Sequence, residues 1–263
     1  MNIFLHELRA YRKSTIIWSL SLVLIVVLFM SFYPSFAKDA GEFEKIMEGY
    51  PEAIRNAFNL GSLSTLVGFY CFPLSFITLC GAIQAMNLGT GIVSKEVREK
   101  TADFLLTKPV TRSTVLTAKL LAAFISIVIT NAVYITGASI MANQVKTDDF
   151  SIKVFIMLSL TMFIIQLIFL ALGIIISVIV PKIKSVLTVS LATVFAFYFI
   201  GMLSDTSGED MKRYFSPFKY FDTAYIIKHS GFEASFLIAG AIVIILAIAA
   251  SYFVYTKKDI HAV

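Results

Sequence analysis

The chain has 263 residues, 58% of them hydrophobic, a mean hydropathy of +0.83 and a formal net charge of +5. A soluble domain of this length does not carry so apolar a composition, so we predict an integral membrane protein. The basic excess does not indicate nucleic-acid binding, because the basic residues are sorted between loops instead of forming one patch.

The first residues of the chain predict an amphipathic helix. Phe4, Leu8 and Tyr11 share one helical face with Leu5, while Arg9, Arg12 and Lys13 form the polar part. We therefore expect an interfacial helix over residues 1–14 at the cytoplasmic membrane surface. The alternative is a disordered basic tail.

Six apolar segments are long enough to cross a bilayer. They are residues 15–33, 63–91, 115–143, 154–180, 185–203 and 234–255. The first could instead be a signal peptide, but its apolar run of about 19 residues exceeds the usual signal core. The predicted fold class is an all-α integral membrane protein with six transmembrane helices, forming a single domain over residues 1–263.

The distribution of charge predicts the orientation of the spans. With the N-terminus in the cytoplasm, the inside segments hold 13 Lys/Arg and 5 acids, and the outside loops hold 9 Lys/Arg and 12 acids. An excess of basic residues in cytoplasmic loops is the normal arrangement. We therefore expect both termini in the cytoplasm.

The segment between the second and third spans is the most charged part of the chain. Its apolar side chains follow the spacing of one helical face: Val97, Thr101, Phe104 and Leu105. Pro109 should end this helix, and Thr111 or Ser113 should cap the next one. An ordered apolar face at the membrane surface indicates contact with lipid headgroups or another protein.

This segment resembles the coupling helix of type-2 ABC exporter permeases, the ABC-2 family. In that family an acidic residue is followed by a Gly-Thr-acid-apolar-apolar stretch, a proline, an arginine and a lysine. The matching residues here are Glu96, Lys100, Thr101, Asp103, Phe104, Leu105, Pro109, Arg112 and Lys119. Lys100 stands where the family usually has glycine, and a lysine suits a helix better.

The resemblance implies an ABC ATPase subunit that docks on residues 96–107, with ATP bound by that partner and no cofactor bound by this chain. It also implies a second permease subunit, either an identical or a related chain, and a location in the bacterial plasma membrane. The competing interpretation is a solvated loop whose basic residues only fix topology.

Two outside loops also resemble those of the family. Pro51 should begin a short helix in the acidic loop 39–60. The aromatic run from Tyr214 to Phe221 lies in the loop 204–233, where family members have re-entrant helices that close the outer mouth. An interfacial anchor without a gating role is the alternative.

Motifs for catalysis are absent from the sequence. It contains no P-loop, no His-Glu-x-x-His and no nucleophile elbow. Cys71 and Cys80 do not have Cys-x-x-Cys spacing, so we expect no metal or redox site. We therefore expect a transport permease and not an enzyme.

Neutral polar residues within the spans have two possible roles. They form hydrogen bonds between helices, or they line a path for cargo. Because the family lines its path with the second and fifth spans, the path candidates are Gln84, Ser190, Thr193 and Phe197. The predicted function is the membrane subunit of an ATP-driven exporter of apolar or amphipathic cargo; the alternative is a six-span membrane enzyme or an accessory scaffold.

Overall fold

The structure is a computed structural model that describes residues 3–39, 65–98, 111–180, 182–205 and 210–257. The helices are α1 (Ile3–Ser31), α2 (Leu66–Arg98), α3 (Arg112–Val145), α4 (Ile152–Ile179), α5 (Val186–Asp205), α6 (Asp210–Arg213), α7 (Thr223–His229) and α8 (Ala234–Lys257). Residues 33–39 continue helically after α1, and a 3-10 helix covers Pro217–Lys219. No strand occurs within the described ranges.

Six of these helices are long and apolar enough to cross a membrane: α1, α2, α3, α4, α5 and α8. The predicted all-α architecture with six spans is therefore confirmed. The orientation of the termini stays a prediction. The short helix predicted to begin at Pro51 is not among the described residues.

Two helices extend well beyond one end of their predicted spans, whereas the other four differ from the predicted ends by about three residues or fewer. α1 begins at Ile3 and runs to Ser31 without an end near residue 14, because this stretch contains neither glycine nor proline. α2 continues past Gly91 to Arg98. The residues of its last turn, Lys95 to Arg98, include good helix formers and no helix breaker.

Hydroxyl side chains begin several helices. Thr111, one of the two predicted candidates, caps α3: its side chain accepts a hydrogen bond from the backbone N–H of Thr114 at 3.2 Å. Ser151 accepts from Val154 N–H at the start of α4, and Thr65 accepts from Gly68 N–H before α2. These bonds satisfy backbone donors that a helix leaves free in its first turn.

Small residues allow α2 and α4 to pack backbone to backbone. A Cβ atom added to Gly89 would lie 2.5 Å from the carbonyl oxygen of Leu170, and one added to Gly173 would lie 2.7 Å from that of Met86. Close helix contact at small residues is the usual way in which membrane helices associate. α1 packs mainly on α3, α5 on α2, and α8 on α4, so α2 and α4 lie at the centre of the bundle.

Candidate functional site

The predicted coupling residues lie around the gap between α2 and α3. Six of them lie outside the described residues: Lys100, Thr101, Asp103, Phe104, Leu105 and Pro109. Glu96 belongs to the last turn of α2, and the description does not extend to its side chain. Arg112 is the first residue of α3 and is half-buried. We call this end of the bundle, where α2 ends at Arg98 and α3 begins at Arg112, the coupling end.

A buried ion pair ties three helices together at the coupling end. Lys119 of α3 is fully buried, and its Nζ atom lies 3.5 Å from Oε1 of Glu7 on α1. The same ammonium donates a hydrogen bond to the backbone carbonyl of Ile92 on α2. Lys119 is the last residue of the pattern that resembles the coupling helix, and its partner Glu7 lies in the amphipathic segment at the start of the chain.

The N-terminal part of α1 therefore packs against the bundle. Glu7 is only 4% exposed, and the hydroxyl of Tyr11 lies 3.5 Å from the position that a Cβ on Gly91 would occupy. The polar face of this part, with Arg9, Arg12 and Lys13, is exposed. One face of this amphipathic segment is thus buried against other helices of the protein.

The first path candidate, Gln84, belongs to a hydrogen-bond network inside the bundle. Its Nε2 donates to Thr130 Oγ1 at 2.9 Å, and its Oε1 accepts from Gln166 Nε2 at 3.0 Å. Gln166 Oε1 in turn accepts from Asn131 Nδ2 at 2.6 Å. Ser19 of α1 donates to Thr130 at 3.3 Å, so the network joins α1, α2, α3 and α4.

This network is almost fully enclosed. Gln84 is 3% exposed, Asn131 5%, and Thr130 and Gln166 are completely buried. The amide of Asn131 donates both to Gln166 and to the carbonyl of Ile127, whereas its Oδ1 has no partner in the described part of the chain. The geometry favours the helix-bridging role of Gln84 over direct contact with cargo.

The other path candidates lie on α5, which is mostly exposed. Ser190 is buried, and its hydroxyl donates to the carbonyl of Val186 one turn earlier. Thr193 and Phe197 are half-buried, and the ring of Phe197 packs edge-on against Phe169 of α4 at 5.9 Å. The hydrogen bonds of Gln84 described above go to α3 and α4, and none of them reaches Ser190 on α5.

The connection between α5 and α8, described from Asp210 to Glu233, contains α6, the 3-10 helix and α7. Its Arg213 binds Glu233 with both terminal nitrogens, at 2.6 and 3.4 Å, and donates through Nε to the carbonyl of Lys219 at 3.2 Å. The guanidinium also lies 4.1 Å from the ring centroid of Phe236 on α8. One arginine thus fastens the connection to the start of α8.

The aromatic run of this connection packs against three spans, and its Tyr214 stacks on Phe236 of α8. Phe218 contacts Phe169 of α4 and Tyr198 of α5, and Ser216 donates to the carbonyl of Phe197 at 2.7 Å. Burial raises the pKa of Tyr220, whose hydroxyl donates to the carbonyl of Tyr214 at 3.0 Å. The segment is therefore a packed structural element and not a solvated linker.

A second polar cluster lies between α2, α3 and α4. The hydroxyl groups of Tyr70 and Tyr134 are hydrogen-bonded to each other, and that of Tyr70 lies 2.8 Å from Ser159 Oγ. All three residues are fully buried, so they fix helix positions and do not present a reactive surface. The described residues contain no group of three or more His, Cys, Asp or Glu suited to a metal ion.

Comparison with protein-family models matches residues 1–260 to the ABC-2 family transporter proteins. The chain belongs to this family. A comparison with curated proteins found no match. The match covers the six spans and all three segments that carry the resemblance. The chain is accordingly a multi-pass membrane protein and a permease subunit of a transporter.

Sequence reasoning missed two features of this ABC-2 permease. The first is the Glu7–Lys119 pair, because the amphipathic pattern predicts residues 1–14 to lie at the membrane surface and not against α3. The acidic residue within an otherwise basic amphipathic segment was the signal that could have identified it. The second is the role of Arg213, which binds several parts of the α5–α8 connection. Sequence spacing does not indicate this role, because its partners Lys219, Glu233 and Phe236 are widely separated along the chain.

Proposed function

We propose that this ABC-2 permease is the membrane subunit of an ATP-driven exporter, and that a separate ATPase subunit docks at residues 96–107. The observation that carries the proposal is the connection of α2 to α3 at the coupling end. Because Lys119 holds the carbonyl of Ile92, a force applied to the segment between Arg98 and Arg112 would act on both helices together.

The closed interior of this chain supports the proposal of a second permease subunit. The polar side chains at the centre of α1–α4 are buried and hydrogen-bonded to one another. α5, in contrast, exposes large apolar side chains such as Leu187, Phe195 and Phe199. We therefore place the transport path between two permease subunits, beside α5 with Thr193 and Phe197, and not inside one chain.

The exposed apolar surface of α5 suits an apolar or amphipathic cargo moved out of the cytoplasm. Charged side chains, which commonly line the path of small ions, are not part of the described surface of α5 up to Leu203. The bacterial plasma membrane is the proposed location.

The test is to search the reading frames next to that of the permease for a P-loop ATPase and to co-express that ATPase with the permease. We expect a stable complex that hydrolyses ATP, and no hydrolysis by the purified permease alone. The same complex with a Walker-lysine variant of the ATPase is the control for contaminating activity. Failure of the two proteins to associate would favour the accessory scaffold, and ATP turnover by the permease alone would contradict the proposal.

A further inference from the structure

The ion pair between Glu7 and Lys119 connects parts of the chain that lie far apart in sequence. Lys119 is 0% and Glu7 4% exposed, and the ammonium is shared between the Glu7 carboxylate and the backbone of Ile92. One buried cation therefore holds α1 and α2 to α3. It does so about two turns from the start of α3, close to the segment that the ATPase is proposed to contact.

Stability alone is a weak explanation for this pair. Burying two charges carries a large desolvation penalty, and an apolar pair of similar volume is often at least as stable. The second carboxylate oxygen of Glu7, Oε2, is buried without a hydrogen-bond partner in the described ranges. A buried pair with one unsatisfied oxygen contributes little net stability. Its charged hydrogen bonds nevertheless fix the relative positions of the groups that they join.

Neighbouring contacts extend the same connection. Tyr11 of α1 lies against Gly91 of α2, one residue before the carbonyl that Lys119 holds. Thr90 donates to the carbonyl of Gly173, which ties this part of α2 to α4. The pair thus occupies the point where α1 joins the tightly packed centre of the bundle.

We propose that Glu7 and Lys119 are positioning residues for transport, which make the N-terminal part of α1 move as one rigid body with the ends of α2 and α3 at the coupling end. This inference rests on the proposed coupling to an ATPase. It adds α1, a helix outside the coupling segment, to the unit that the ATPase displaces.

Single and double variants separate this role from a purely structural one. Glu7→Gln removes the carboxylate that faces the buried Lys119 ammonium and should lower the melting temperature. Glu7→Gln/Lys119→Met removes both charges and should recover most of that loss. If the pair only supports folding, the double variant should also recover coupling. If it positions α1, the double variant should be stable but poorly coupled.

The measurement uses the full chain in nanodiscs, alone and with its ATPase, after replacement of Cys71 and Cys80 by alanine. Spin labels at the exposed positions Arg12 and Thr114 report the distance between α1 and α3. With both charges present we expect one narrow distance distribution that is the same without nucleotide and with trapped nucleotide. In Glu7→Gln/Lys119→Met we expect a broad or nucleotide-dependent distribution and ATP turnover per assembled complex about 2- to 30-fold lower.

The matched control is Lys146→Met/Asp149→Asn, which neutralises an exposed ion pair. It should change neither the distance nor the turnover. Should the buried double variant fail to fold, Glu7→Asp keeps both charges but draws the carboxylate back from Lys119, and it should broaden the distribution.

Two results would overturn the inference. One is a distance between α1 and α3 that changes on nucleotide trapping in the chain with the intact pair. The other is a narrow distribution with normal turnover in the double variant. If no ATPase complex forms at all, the proposed function fails, whereas the distance in the chain alone still shows whether the pair fixes α1 to α3.

Discussion

Gly173 of α4 lies so close to Met86 of α2 that a Cβ atom on the glycine would stand 2.7 Å from the Met86 carbonyl oxygen. Such an atom would also stand 2.9 Å from the backbone nitrogen of Thr90. Both neighbours are backbone atoms, which cannot turn away as a side chain would. The contact makes the packing of α2 on α4 sensitive to any side chain larger than glycine at this position.

Replacement of this glycine should therefore destabilise the permease. We expect Gly173→Ala to reduce the free energy of unfolding by about 1–3 kcal/mol, because the helices must separate to admit the methyl group. Thermal unfolding in detergent measures the effect. Gly231→Ala is the control, since a Cβ there meets only the His229 carbonyl oxygen, at 3.7 Å, and an unchanged melting temperature for Gly173→Ala would contradict the packing argument.

The hydrogen bond between Gln84 and Gln166 gives a test of the bridging role. In a double-mutant cycle of Gln84→Leu and Gln166→Leu, we expect a coupling free energy of about 0.6–1.7 kcal/mol. The physical reason is that each single change leaves the other amide without its buried partner. Asn143→Leu, at an exposed site of α3, should not couple to Gln84. A coupling near zero, together with lost transport in Gln84→Leu, would indicate a role in the path instead.

Arg213 should hold the α5–α8 connection in place. We expect Arg213→Met to increase hydrogen exchange across residues 210–233, because it removes the bonds to Glu233 and Lys219 and the contact with Phe236. Arg213→Lys should restore little, because lysine cannot form the bidentate pair. Lys228→Met makes the same charge change at an exposed position and should leave exchange unaffected. Equal exchange in both methionine variants would show that Arg213 does not fasten the segment.

The coupling residues predicted from sequence can be tested directly. Phe104→Ala and Glu96→Ala should leave the amount of membrane-inserted permease near normal, since the segment lies between spans. Truncation of a buried interface aromatic commonly costs about 2 kcal/mol or more, enough to weaken a contact some 30-fold. We therefore expect weaker ATPase binding in co-purification and lower ATP turnover. If both variants bind the ATPase normally, the segment serves only topology.

The orientation of the spans remains a prediction based on charge. Single cysteines at Lys100 and Lys184 should react with an impermeant reagent only from the cytoplasmic side, and one at Asp210 only from outside, once Cys71 and Cys80 have been replaced. The separation of net charge, +8 inside and −3 outside, is the physical basis. Labelling of position 210 from the cytoplasmic side would overturn the six-span orientation.

The sequence by itself determined the class of protein and the number of spans. A bilayer requires about 20 apolar residues per helix, and each helix satisfies its backbone hydrogen bonds locally. The membrane class and the number of spans can therefore be predicted from runs of consecutive residues. The Thr111 cap was predictable for the same reason, since its acceptor and donor lie in one turn of chain. The family resemblance followed from the local pattern between Glu96 and Lys119.

Only the tertiary structure decided which helices are neighbours and which polar residues meet. Almost all positions within a span are apolar, and both lipid and protein accept them, so composition gives no indication of which face is buried. The partners Glu7 and Lys119, Gln84 and Gln166, and Arg213 and Phe236 each come from different helices or segments. Their contacts depend on the close approach of α2 and α4 at Gly89 and Gly173 and on the way in which the other helices pack around that pair.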